Sequence, residues 1–147
     1  DLLEQERIES LGGKVFKIKG RARLNGYLAV SRAFGDVDCG EGLSATPDIT
    51  EVEIADDCEA FLLLCSDGIT DVVDSRQFSL LLEMCNDASE LSRRLCQLAD
   101  DLGTRDNTTV VVLPVSSQNQ PCVCAVADGH GGKETALYLA ERFVDLY

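Results

Sequence analysis

Apolar and polar positions repeat with two different periods along this chain, and the period assigns most elements. Residues 2–11 read as a short helix, with Leu3, Ile8 and Leu11 for burial and the Gly12–Gly13 pair to stop it. Lys14–Lys19 reads as a strand with charged ends. Asn25–Gly26, between RARL and YLAV, is a strong two-residue turn signal and predicts a hairpin of those two segments. Beyond Ser31–Asp36 a Gly- and Asp-rich loop runs through Pro47, too polar for a core element. Ile49–Ile54 alternates like a half-buried strand, whereas Ala60–Cys65 is apolar throughout and reads as a central one.

The second half shifts to the helical period. One helix is predicted over about Ser75–Cys85. The next begins at Asp87 as N-cap with Glu90 three residues on, a capping-box arrangement. Leu91, Leu95, Leu98 and Leu102 then mark one face, and Gly103 ends the run. Thr108–Leu113 and Cys122–Ala127 read as buried strands, and Lys133–Tyr147 as an amphipathic helix. Between the strands, residues 114–121 (PVSSQNQP) form the one linker-like stretch. Hairpin strands mixed with paired helices make the class α+β.

Composition narrows the function. The 147 residues are 45% hydrophobic and 27% charged, ordinary for one globular domain. A chain of this length buries roughly 70% of its unfolded surface, enough for its own core. The net charge is −13, which argues against nucleic-acid or membrane partners and allows cations or basic ones. The acidity is uneven: residues 1–35 carry a net +3 and the rest a net −16. No apolar run is long enough to span a membrane, and the first residues do not have the pattern of a secretory signal. Seven cysteines without a CxxC spacing, most of them within apolar runs, read as small reduced core residues of an intracellular protein. With one histidine, a Cys/His zinc site is not expected.

Three aspartates share one kind of location. Asp67 follows FLLLCS and precedes Gly68; Asp128 follows CVCAVA and precedes Gly129; Asp106 stands before Asn107 and the strand TTVVVL. Taken singly, each Asp-Gly is a turn. Together they would gather oxygen ligands on the rim of a sheet, a set suited to Mg²⁺ or Mn²⁺. The tract DGHGG (128–132) adds glycines that permit close backbone approach. It also holds His130, either a solvent-exposed loop histidine or a proton donor to a leaving oxygen. The spacing around Gly-Lys-x-Thr is not that of a phosphate-cradling P-loop, DVDCGE fails as a calcium loop, and no G-x-S-x-G elbow is present.

The tracts ERIESLGGKV (6–15), RLNGYLAVSRAFGD (23–36), ATPDI (45–49), FLLLCSDGITDVV (61–73), GTRDNTTVVV (103–112) and CVCAVADGHGG (122–132) together resemble the metal-dependent Ser/Thr protein phosphatases of type 2C. The resemblance implies two stacked antiparallel β-sheets flanked by helix pairs, with two metals and a weaker third at one end of the sandwich. It matches Asp128 to the metal-bridging aspartate and Gly129 to the glycine offering its carbonyl. Asp67 and Asp106 match further carboxylates of the first metal site, Asp71 a carboxylate of the third metal, and His130 the general acid. The implied activity is Mg²⁺- or Mn²⁺-dependent hydrolysis of phosphoserine and phosphothreonine in phosphorylated protein substrates, inside the cell. The alternative is a catalytically inactive, partner-binding module of the same kind.

The order of the motifs departs from the family pattern. DGHGG normally comes near the beginning and here comes last. The strand with a Gly-Asp-Ser-Arg motif, the phosphate-binding arginine and the second-metal glutamate have no counterpart in the 147 residues. The expectation is therefore one partial phosphatase-like domain. Residues 1–113 match the C-terminal part of the family domain, 114–121 form a linker or seam, and 122–147 match its N-terminal metal motif. A second chain or segment would supply the missing strands, because buried strands need neighbours on both edges.

Overall fold

The computed structural model describes residues 1–55, 60–116, 122–130 and 132–143. Cys58, the 117–121 part of the linker-like stretch, Gly131 and the 144–147 end of the last predicted helix lie outside the described residues. The chain is α+β, with two antiparallel sheets and several helices, and it divides into two compact units, residues 1–52 and 53–147.

In the first unit, helix α1 (Leu2–Ser10) is capped by Asp1, whose carboxylate accepts the Leu3 N–H at 2.9 Å. It buries Ile8. Strands β1 (Val15–Ile18) and β2 (Arg21–Leu24) form a four-pair antiparallel ladder closed by Lys19–Gly20, both at positive φ (50° and 83°). This corrects the predicted hairpin: RARL pairs with VFKI and meets YLAV at a single bridge, Leu24–Leu28. Asn25–Gly26 does turn the chain there. Asn25 mainly ties that turn to its surroundings, accepting the Lys14 N–H at 2.9 Å and donating to the Cys39 and Glu41 carbonyls at 2.8 and 2.9 Å. The polar loop contains one short 3₁₀ turn, Val37–Cys39.

The predicted strand Ile49–Ile54 is not formed; Ile49 and Val52 stand 79% and 77% exposed. An alternating pattern makes a strand only when a neighbouring edge takes its backbone groups, and among the described residues none does.

The second unit has the larger apolar core. Strand β3 (Ala60–Cys65) pairs over six residues with β4 (Val110–Val115). Helices α2 (Asp67–Thr70), α3 (Ser75–Met84) and α4 (Ala88–Asp101) follow β3. Ile69 and Leu95 are fully buried, with Val73, Leu91 and Ala99 around them, and Val110 and Val112 of β4 pack against the cluster. Leu91 and Leu95 occupy the predicted face of α4, whereas Leu102 lies beyond the helix and is exposed. Asp87 caps α4 through the Glu90 N–H at 2.7 Å, but the Glu90 carboxylate turns to the Asn86 N–H, so the reciprocal half of the box is not made. The full box is at α3, between Asp74 and Gln77.

Three further expectations change. β3 has one strand neighbour among the described residues, which leaves Phe61 and Leu62 41% and 45% exposed rather than central. β4 runs on through Pro114 and Val115, so the linker-like stretch starts inside a strand, with proline at a position where the ladder tolerates it. Cys122–Ala127 forms no strand and is largely exposed, again for want of a pairing edge. Helix α5 (Glu134–Arg142) occupies the first part of the predicted terminal helix. The six described cysteines are free thiols, but none is the core residue expected: Cys65, Cys85 and Cys96 pack at the margin of the apolar cluster, and Cys122 is exposed.

Candidate metal centre

The candidate centre lies in the second unit, where β3 gives way to α2. Ser66 is the N-cap of α2 and is 6% exposed. Its hydroxyl donates to the Asn107 carbonyl at 3.0 Å and accepts the Thr109 N–H at 3.1 Å, while its own N–H donates to the Thr109 carbonyl at 3.1 Å. The Thr104 hydroxyl donates to the Gly68 carbonyl at 2.8 Å. These bonds hold the segment carrying Asp67 against the segment carrying Asp106. Gly68 is required by proximity rather than by dihedral angle: a Cβ there would run into the Asn107 carbonyl oxygen.

A cleft of about 170 Å³ opens beside this joint, lined by Ser66, Asn107, Asp128, Gly129 and Lys133 among others. Three stretches far apart in sequence therefore meet at one place: Ser66–Asp67, Asp106–Asn107 and Asp128–Gly129. Partial desolvation beside the buried joint raises the proton affinity of Asp67, and the negative charges of Asp128, Asp106 and Asp71 raise it further, opposed by the Gly68 N–H. Mutual repulsion of this kind is what an oxygen-liganded divalent cation relieves.

The donor chemistry fits a hard ion, carboxylates and a backbone carbonyl with no thiolate among them. The side-chain spacing is looser than a coordination shell: among the described residues, no three His, Cys, Asp or Glu side chains converge closely enough to hold an ion. Asp67, Asp71, Asp106, Asp128, Gly129 and His130 are all solvent-exposed, whereas Ser66, Gly68 and Ile69 in the joint beside them are buried.

Residue reasoning did not single out Ser66, Thr104, Asn107 or Lys133. Ser66 carried a usable signal, a lone hydroxyl between an apolar strand and Asp-Gly, where a helix N-cap is expected. Thr104 and Lys133 gave none, since their contribution depends on chain crossings that no local pattern encodes.

Comparison with known proteins places these observations. The family model described as "Protein phosphatase 2C" matches residues 1–108. "Protein phosphatase fem-2" of Caenorhabditis elegans is 37% identical over 118 residues, covering 76% of this chain and 26% of that protein. "Protein phosphatase 2C homolog 1" of Saccharomyces cerevisiae is 36% identical over 113 residues, covering 77% of this chain and 38% of its own length. Among solved structures, a C. elegans sex-determining protein superimposes with a TM-score of 0.66 at 36% identity, over 76% of this chain and 29% of that one. A phosphatase from Toxoplasma gondii does so with a TM-score of 0.63 at 27% identity, over 79% and 40%. The chain thus spans well under half the length of these relatives.

Proposed function

The chain belongs to the protein phosphatase 2C family, and on that premise we propose that it carries part of a Mg²⁺- or Mn²⁺-dependent phosphatase acting on phosphoserine and phosphothreonine in proteins. The observation that carries this reading is the meeting of the Ser66–Asp67, Asp106–Asn107 and Asp128–Gly129 stretches beside one cleft, with Asp67 destabilised as an anion by desolvation and then by its acidic neighbours. Asp67, Asp106, Asp128 and the Gly129 carbonyl would hold the ions, with Asp71 serving a weaker third. When bound, such ions lower the pKa of water and offset charge on phosphoryl oxygens.

The chain's own groups do the rest. Water adds to phosphorus as the bond from phosphorus to the substrate Ser or Thr oxygen breaks. His130 passes a ring proton to that departing oxygen. His130 is exposed, as a group that must reach substrate has to be. Ser66 and Thr104 are positioning residues that keep the Asp67 and Asp106 backbones together. The half-exposed Phe61 and Leu62 on β3 support a further segment or chain completing the sheet. No helix among the described residues is long and apolar enough to cross a membrane. The free thiols support a place inside the cell.

The loose spacing of the acids favours one second reading, an inactive phosphatase-like module that binds partners. One experiment separates the two. The intact protein is given a phosphothreonine peptide with Mn²⁺, with chelator, and as the Asp128→Asn variant. Turnover with metal alone, lost in the variant, is the expected result. Turnover that survives chelation defeats the metal-dependent mechanism, and peptide binding without turnover leaves the inactive module.

A further inference from the structure

The basic charge of this acidic chain is gathered in one place. Residues 11–35 hold six Lys/Arg and no Asp/Glu, whereas the remaining 122 hold seven and 26. Lys14, Lys17, Lys19, Arg21 and Arg23 lie on or beside the β1–β2 hairpin. Its register sets Phe16 opposite Arg23 and Ile18 opposite Arg21, and directly opposed residues share a face. One face therefore presents an apolar row on β1 next to a guanidinium row on β2. Phe16 and Ile18 are 46% and 44% exposed, and the neighbouring Tyr27 is 77% exposed. Lys14 and Lys19, at the two ends of β1, form no ion pair among the described residues, in a chain with twice as many acids as bases; Lys17, opposite Ala22, lies on the other face.

We propose that this hairpin face is a docking surface for an extended segment of a partner protein that carries acidic side chains beside apolar ones. Charge complementarity selects the acidic half, and the uncovered Phe16–Ile18 row selects the apolar half. Four residues of strand span roughly 13 Å, the reach of a short peptide rather than of a long polyanion. A nucleic acid would gain nothing from the apolar row and would meet the acidic remainder of the chain. The surface is independent of the hydrolytic reading, since none of its residues belongs to the metal centre.

The test uses the intact protein and a short fluorescein-labelled peptide of alternating glutamate and leucine, read by fluorescence anisotropy. Arg21→Glu and, separately, Lys19→Glu at the hairpin tip should each weaken binding about tenfold. Arg76→Glu on α3 should leave it unchanged. Melting curves check that each variant folds; Lys19 lies outside the ladder, so its variant keeps the test decisive if Arg21→Glu disturbs the hairpin. Binding should weaken as salt rises. The proposal is overturned by no binding, by equal binding of a lysine–leucine peptide, or by indifference of binding to both hairpin variants. Tighter binding of single-stranded RNA or of phosphatidylserine vesicles would also overturn it, as would self-association of the protein through this face.

Discussion

Two carboxylates, one in each unit, are pushed in opposite directions, and the contrast separates a group that fastens the chain from one in the proposed metal centre. In the first unit Glu4 accepts from both the Arg7 Nε and Nη2 at 3.0 and 2.7 Å and from Arg32 at 3.0 Å, with the Ser31 hydroxyl as a further donor. Its pKa drops to about 2, chiefly through the Arg7 hydrogen bonds and then Ser31. Arg7 goes on to the Ser31 and Gly42 carbonyls at 3.1 and 3.0 Å, so one ion pair fastens α1 to two loops. In the second unit Asp67 sits among three more acids and its proton affinity rises. The first carboxylate is satisfied within the chain. The second, on the proposed reading, is satisfied by a bound cation.

The cores differ in the same sense. Unit one buries Ile8 and Leu24 and relies on polar fastening; unit two buries Ile69, Val73, Leu91, Leu95 and Ala99. Unit two should therefore be the more sensitive to a cavity. Leu95→Ala, at a fully buried position, is expected to cost about 2–5 kcal/mol, measured by urea unfolding. A loss no larger than that of a surface substitution would mean that α4 is not the core helix, and the contrast between the units would fail.

Added Mg²⁺ or Mn²⁺ tests the other half of the contrast. Ligand present at a hundredfold its dissociation constant stabilises by about 2.7 kcal/mol through mass action, visible as a rise in Tm. Asp67→Asn should remove most of that rise. Without metal the same substitution should leave stability level or improved, because it removes one of several repelling charges. An equal rise in wild type and variant would return the three aspartates to the role of turn residues.

These cases also show what was legible in the residues. The helices of unit two were, because four leucines and a terminal glycine repeat a local period, and Gly103 indeed takes a φ of 81°. The aspartates that meet at the cleft could be grouped in advance because each stands where an apolar strand pattern ends or begins. Two predicted strands, 49–54 and 122–127, did not form, since strand pattern states a preference and pairing needs a partner edge. The β1–β2 hairpin was misassigned because Asn25–Gly26 outweighed Lys19–Gly20, although both pairs take the same positive-φ turn geometry. Ser66, Thr104 and Glu4 escaped notice because they join segments 27 to 43 residues apart. Long-range hydrogen bonds leave no period to read.

The smallest effect sharpens the comparison furthest, because it has a sign that only the polar unit can produce. Glu4 binds its proton more weakly in the folded chain, about 2 against an ordinary 4.5. Between those values the unfolded chain holds more protons, so stability rises with pH through that window and is level above it. The contribution is complete above about pH 4.5 and is lost as the solution is acidified toward about pH 2. Glu4→Gln should cost about 1–2 kcal/mol at neutral pH, as expected for charge-assisted bonds at a partly exposed site. It should also flatten this part of the acid-unfolding profile. Asp67→Asn cannot produce that flattening, because a raised carboxylate pKa makes stability fall, not rise, with increasing pH. An acid profile indifferent to Glu4→Gln would show that α1 is held by Ile8 rather than by its ion pair, and the two units would then differ only in the size of their cores.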